Sequence, residues 1–83
     1  MYYVYVLQSK VKSWVYIGYT SNLRNRFFQH NNGESTSTKP YRPFELLYYE
    51  AYKSSSLARK REIELKKHGQ KKEILFRRLG LQE

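Results

Sequence analysis

Two short runs rich in tyrosine, valine and isoleucine, residues 2–8 and 14–20, flank a polar stretch from Ser9 to Ser13. Aromatic and β-branched side chains suit a pleated, half-buried surface, so both runs predict strands. A connection of about five residues is usual for a hairpin, which makes the two runs arms of an antiparallel pair. Side chains alternate along a strand. Tyr3, Tyr5 and Leu7 therefore share one face of the first arm, and Tyr16, Gly18 and Thr20 share one face of the second. On that pattern Tyr5 and Tyr16 are expected to be cross-strand neighbours.

Downstream, the spacing changes from two to about 3.6. Ser21 or Asn22 offers an N-cap, and Leu23, Arg26, Phe27 and His30 follow at helical spacing. Arg24 lies off that stripe. Asn31-Asn32-Gly33 ends the helix, and residues 34–43 form a Ser/Thr/Pro loop in which Pro40 and Pro43 oppose regular structure. Residues 44–50 read as a third strand. Ser54-Ser55-Ser56 can cap a second helix whose stripe runs Ala58, Glu62 and Leu65, so an acid stands among apolar positions. His68-Gly69 predicts a break, with His68 as a helix-end cap, and Ile74, Leu75 and Leu79 mark a third helix before Gly80. The order ββαβαα implies an α+β fold, a three-stranded antiparallel sheet packed with three helices.

A chain of 83 residues is expected to make a single domain over 1–83, burying roughly 60 to 65 % of the surface its unfolded form exposes. With no cysteine, disulfides and thiolate metal sites are excluded, and nine Tyr, four Phe and one Trp must supply the core. The lack of cysteine agrees with a reducing, cytoplasmic setting. Met1 leads straight into a strand pattern without a basic n-region or a long apolar run, so neither a signal peptide nor a membrane span is expected. Sixteen Lys/Arg against seven Asp/Glu give a formal charge of +9, a field that attracts polyanions and makes nucleic acid the first candidate partner. A solvated basic surface, or one that meets acidic lipid, is the blander reading.

The stretch Tyr-Val-Tyr-Val-Leu, a turn, then Tyr-Ile-Gly-Tyr-Thr-Ser-Asn-Leu-Arg-Asn-Arg-Phe-Phe-Gln-His resembles the GIY-YIG nuclease domain, the module of the bacterial nucleotide-excision incision subunit and of some homing and restriction endonucleases. The resemblance spans nearly the whole chain. It implies a metal-dependent endonuclease that hydrolyses phosphodiester bonds, with DNA as the expected substrate and repair or processing as its setting. Tyr16 matches the motif tyrosine regarded as the general base, and Tyr5 matches the tyrosine of the first motif, expected to line the site. Arg26, eight residues after Gly18, coincides with the motif arginine, which can bind phosphate bidentately. His30 falls where repair nucleases carry tyrosine and several standalone relatives carry histidine. Glu62 matches the metal-binding glutamate, here for Mg²⁺ or Mn²⁺, since magnesium keeps several waters and shares its sphere with substrate phosphate. Tyr3-Val4-Tyr5 replaces Gly-Ile-Tyr, and Tyr19 stands where repair enzymes often carry a lysine.

Outside the motif, Arg24, Lys66, Lys67, Lys71 and Lys72 are expected to track a nucleic-acid backbone without reading sequence. Each residue also has a structural reading: Tyr16 as core filler, His30 as a packing residue, Glu62 as an ion-pair partner of Arg59 or Lys66. A noncatalytic nucleic-acid-binding module is therefore the alternative to an enzyme. A membrane-surface or protein-interaction domain is the third possibility.

Overall fold

In the computed structural model, which describes residues 1–67 and 69–81, the elements follow the expected ββαβαα order. They are β1 (Tyr2–Ser9), β2 (Val15–Thr20), α1 (Leu23–Asn31), β3 (Phe44–Tyr52), α2 (Ser55–Lys66) and α3 (Gln70–Arg78). The sheet is antiparallel with β1 in the middle, in the order β2-β1-β3. Because β1 is central, both of its faces are covered. Val4 and Val6 point to a core shared with Ile17, Ala58, Leu65, Leu75 and Phe76, which lie on β2, α2 and α3. Tyr5 and Leu7 point the other way, to Phe44 and to Leu23 and Phe27 of α1.

Local chemistry sets the ends of the elements. The Asn22 side chain accepts the Asn25 N–H at the start of α1, and the Ser54 hydroxyl accepts the Leu57 N–H at the start of α2. Gly33 follows α1 with φ +75°, a conformation that a Cβ opposes. The loop before β3 is more ordered than its composition suggests. Lys39–Tyr41 form a 3₁₀ turn with Pro40 in its first turn, where no N–H is needed, and the Arg42–Pro43 peptide is cis. Trp14 stacks on Tyr41 with ring centroids 3.9 Å apart, so this turn packs against the β1–β2 hairpin.

Two sequence expectations change in detail, and β3 adds an irregularity. Tyr5 pairs with Gly18 and Leu7 with Tyr16, so Tyr5 and Tyr16 are diagonal rather than directly opposite. In β3 a register shift opposite Val6 and Leu7 leaves Leu47 as the extra residue. It puts Leu46 on the Leu7 face while Tyr48 stays on the Val6 face, because an added residue switches the alternation. On α3, Phe76 is buried and Ile74 is 41 % exposed, so the helix turns its 75–76–79 side to the sheet. His68, expected as a cap, lies outside the described residues.

The α2 side of the sheet is held by a polar cluster. Glu50 of β3 accepts from Arg61 through Nε at 2.9 Å and Nη2 at 3.0 Å, from the Tyr48 hydroxyl at 2.6 Å, and from the Tyr52 hydroxyl. Burial alone would raise the Glu50 pKa, but these donors outweigh it and hold the group below the ordinary carboxylate range. The same contacts, with burial as the leading cause, push Tyr52 up to about 12. Glu50→Ala should therefore leave two phenols without their acceptor and Arg61 with only Glu64, 4.0 Å away, costing about 2 kcal/mol. Urea denaturation checks this, and an unchanged midpoint would show the cluster to be ornamental.

Candidate active site

The Tyr5 face of the sheet holds a polar chain inside an otherwise aromatic core. The Tyr5 hydroxyl lies 2.9 Å from His30 Nε2, and His30 Nδ1 lies 2.9 Å from Thr38 Oγ1. Thr38 in turn donates to the Ser35 carbonyl at 3.4 Å. One proton arrangement satisfies every partner: Tyr5 donates to Nε2, Nδ1–H donates to Thr38, and Thr38 donates to Ser35. That arrangement requires a neutral imidazole. Burial, helped by the Arg26 charge, indeed pushes the His30 pKa down to about 4. Burial and the neighbouring Tyr16 push Tyr5 up to about 12, against the opposing pull of Arg26.

Gly18 makes room for this chain. A Cβ built there would lie 2.3 Å from the Tyr5 hydroxyl oxygen and 2.8 Å from Tyr16 Cε2. Any side chain would have to displace the hydroxyl that holds His30. The glycine of the Tyr-Ile-Gly run is thus set by close approach of two rings.

Tyr16 lies above this buried pair. Its ring centroid is 5.1 Å from the His30 ring and 6.2 Å from the Tyr5 ring, and 6.0 Å from Trp14, which stacks beside it. Unlike Tyr5 and His30, which are buried, Tyr16 is partly exposed and lines a cavity of about 380 Å³ at the open edge of β2. Arg26 of α1 is near enough for its charge to act on both Tyr5 and His30, and its Nη1 donates to Gln29 at 3.1 Å.

Glu62 reaches the site from the opposite layer. α2 packs on the Val4 face, but its Arg59–Glu62–Lys66 ridge runs beside β2, with Arg59 5.9 Å above the Tyr19 ring and Lys66 5.6 Å above the Tyr16 ring. Glu62 lies between these cations, 3.4 Å from Arg59 Nε and 3.0 Å from Lys66 Nζ. Its charge is felt by the Tyr5 phenol. Lys66 therefore joins the acid to Tyr16, a link that the sequence offered only as an ion pair at i,i+4. Thr38 gave no signal at all within its Ser/Thr stretch.

The remaining basic residues separate. Lys72 lines the Tyr16 cavity with Lys66, while Lys71 pairs with Glu64 at 2.7 Å and lines a different cavity with Tyr48 and Arg61. Lys67 is exposed at the end of α2, and Arg24 lies on the flank of α1 away from Arg26.

Among the described residues no three His, Cys, Asp or Glu side chains group as metal ligands. The donor set at the site is one carboxylate, 12 % exposed, with both oxygens held by cations. Such a site fits a hard ion that keeps most of its water and takes further oxygens from phosphate. It does not fit a preformed protein cage. Arg59, 63 % exposed, is the partner most easily released.

Comparison with known proteins adds independent findings. The model of the GIY-YIG catalytic domain matches residues 1–74. A UPF0213 protein of Staphylococcus saprophyticus is 36 % identical over 74 residues, covering 88 % of this chain and 89 % of the relative. The UPF0213 protein YazA of Bacillus subtilis is 37 % identical over 76 residues, covering 90 % and 76 %. A UPF0213 protein of Bacillus halodurans, solved by solution NMR, superposes with a TM-score of 0.56 at 31 % identity, covering 95 % of this chain and 85 % of that one.

The buried histidine gives the fold an acid sensitivity of defined sign. Its folded pKa is below its unfolded value, so the unfolded chain takes up the proton first and stability falls as pH drops from about 6.5 to about 4. The full loss corresponds to roughly 3 kcal/mol. Tyr5 from β1, Tyr16 from β2 and Arg26 from α1 face the ring. Carboxylates such as Glu50 add their own loss only further down, below 4.5. Urea midpoints measured across this range should slope in the parent and flatten in His30→Gln. An equal slope in both proteins would place the titration elsewhere.

Proposed function

The chain belongs to the GIY-YIG family, a family of nucleases, and from that premise we propose that it is a metal-dependent endonuclease hydrolysing nucleic-acid phosphodiester bonds, DNA first. The observation that carries this reading is the position of Tyr16. It is a partly exposed phenol resting on a neutral buried Tyr5–His30 pair and flanked by the Lys66–Glu62 ion pair.

In this reading Tyr16, its own hydroxyl proton first released to solvent, takes a proton from the attacking water as the water oxygen bonds to phosphorus. The bond to the leaving sugar oxygen breaks, and that oxygen takes a proton from solvent. Arg26 binds a non-bridging oxygen, where its charge opposes the charge that develops on phosphorus. Tyr5 and His30 do not compete for the proton: Tyr5 holds its own up to about 12, and both imidazole nitrogens are engaged. They are positioning residues, which fix the floor on which Tyr16 rests. A divalent ion held by Glu62, Mg²⁺ or Mn²⁺, would supply Lewis-acid charge to the phosphoryl oxygens. Lys66 and Lys72 carry the neighbouring strand backbone along the edge of β2.

One observation favours a second reading. With both Glu62 oxygens paired to Arg59 and Lys66, the carboxylate is already neutralised, as a module that only binds nucleic acid would have it.

Pure protein incubated with labelled DNA and RNA panels, in Mg²⁺, Mn²⁺ or chelator, separates the two. Tyr16→Phe keeps the ring and removes the oxygen, so cleavage should fall by about 10² to 10⁴-fold with thermal stability and affinity nearly unchanged. Persisting cleavage would move the base away from Tyr16.

Glu62→Gln keeps the shape and removes the charge. Metal-dependent cleavage should vanish, while binding holds or tightens because an acid has left the phosphate path. Cleavage at the parent rate would remove Glu62 from the metal role, and a parent inert on every substrate with either metal would leave the binding module.

A further inference from the structure

A second groove, of about 480 Å³, opens on the other flank of α1, lined by Tyr3, Leu23, Arg24, Phe27, Leu46 and Tyr49. It shares the sheet face of Tyr5. Across the sheet, Tyr5 pairs with Gly18 on one side and with Tyr49 on the other. Two strand spacings across and two residues along therefore separate Tyr16 from Tyr49, about 12 Å in all. Arg24 and Arg26 are two residues apart on one helix, which turns their side chains about 200° apart around its axis. One arginine therefore serves each side.

The groove has the chemistry of a stacking platform. Tyr49 is 53 % exposed although it is a large aromatic, and it meets Tyr3 edge to face with centroids 6.0 Å apart at 65°. At that exposure much of the Tyr49 ring remains open to solvent beside the contact. The Arg24 guanidinium makes no hydrogen bond, ion pair or ring contact with another described residue. An open aromatic ring beside an uncommitted guanidinium matches a nucleobase and its adjacent phosphate. An aliphatic peptide face would leave that charge unmatched. A base inside an intact duplex could not reach the rings.

We propose that this groove is a base-stacking site: it receives one unstacked nucleobase on Tyr49 and Tyr3, with the neighbouring phosphate on Arg24. The inference rests on the nucleic-acid reading of the Tyr16 site and deepens it. A span of about 12 Å equals about three to four nucleotides of a stacked strand at about 3.4 Å each. The enzyme accordingly engages strands with an unpaired nucleotide about three to four positions from the bond presented to Tyr16. Loops, flaps and single strands satisfy this, and uninterrupted duplex does not.

The test uses the full chain carrying Tyr16→Phe, so that nothing is cut while binding is measured. The probes are a single-stranded DNA oligonucleotide with one 2-aminopurine and a blunt duplex of the same sequence. Binding of the single strand should quench the 2-aminopurine. Adding Tyr49→Leu should weaken that binding about ten-fold and restore emission, while duplex affinity changes less than two-fold. Tyr49→Phe should behave as the parent, and Arg24→Gln should weaken single-strand binding without restoring emission. Unchanged melting curves show that each variant is folded, as expected for such exposed positions. If the single strand binds and Tyr49→Leu leaves affinity and emission unchanged, this inference falls alone. If the protein binds neither probe, the nucleic-acid reading falls and takes this one with it.

Discussion

The hydrogen bond from the Tyr5 hydroxyl to His30 Nε2 ties distant parts of the chain together inside the core. It joins the central strand to α1, and through Thr38 it reaches the loop before β3. In a buried setting an unpaired hydroxyl or imidazole nitrogen costs more than the bond itself contributes, so the three groups are kept together by the penalty for parting. The bond also fixes charge. A protonated His30 would turn Nε2 from acceptor into donor against a phenol that holds its proton to about 12. The floor of the Tyr16 site is therefore neutral by construction, and the charged groups lie around its rim.

That rim is assembled from both layers. A helix packed on one face of a sheet ordinarily has no access to the other, and α2 is packed on the Val4 face. It gains access because β2 is an edge strand. Long side chains on its Arg59–Glu62–Lys66 ridge pass beside that edge to the rings of Tyr19 and Tyr16. The strand order β2-β1-β3 is thus a condition of the site as well as of the core. Were β2 central, its neighbour would separate Glu62 from Tyr16. The Glu50–Arg61 cluster serves the same end, since it anchors α2 to β3 on the far side and so sets where the ridge falls.

The elements were legible because local chemistry and tertiary structure agree: alternation marked β1 and β2, and Asn22 and Ser54 cap the helices they were expected to cap. Face and register were less legible. The diagonal placement of Tyr5 and Tyr16 depends on a hairpin loop whose length the sequence did not fix to the residue, and one residue of slip changes every partner. The bulge at Leu47 has no glycine or proline to announce it. On α3, residues 74–76 are all apolar, so spacing alone could not say which side meets the sheet. The basic run divides for a related reason. Lys71 and Lys72 are adjacent in sequence but about 100° apart on a helix, and they line different cavities. Thr38, buried and bonded to His30, belongs to a polar stretch that reads as solvent-facing loop.

Tyr19 shows how a position can depart from a motif while the charge around it is kept. It stands where repair enzymes often carry a lysine, yet Arg59 from α2 lies over its ring and Lys66 lies over that of Tyr16. Two cations thus flank the phenols from the neighbouring helix. Their present partner is Glu62, and that sets the chemistry of substrate entry on the nuclease reading. A phosphate is a stronger competitor for a guanidinium or an ammonium than one carboxylate already shared between two cations. Its arrival would draw Arg59 and Lys66 outward and leave Glu62 with free oxygens beside a phosphoryl group. That pairing of one carboxylate with phosphate oxygens is what a water-keeping divalent ion needs. Metal and substrate affinity would then rise together, although neither the carboxylate nor the phosphate alone forms a complete site.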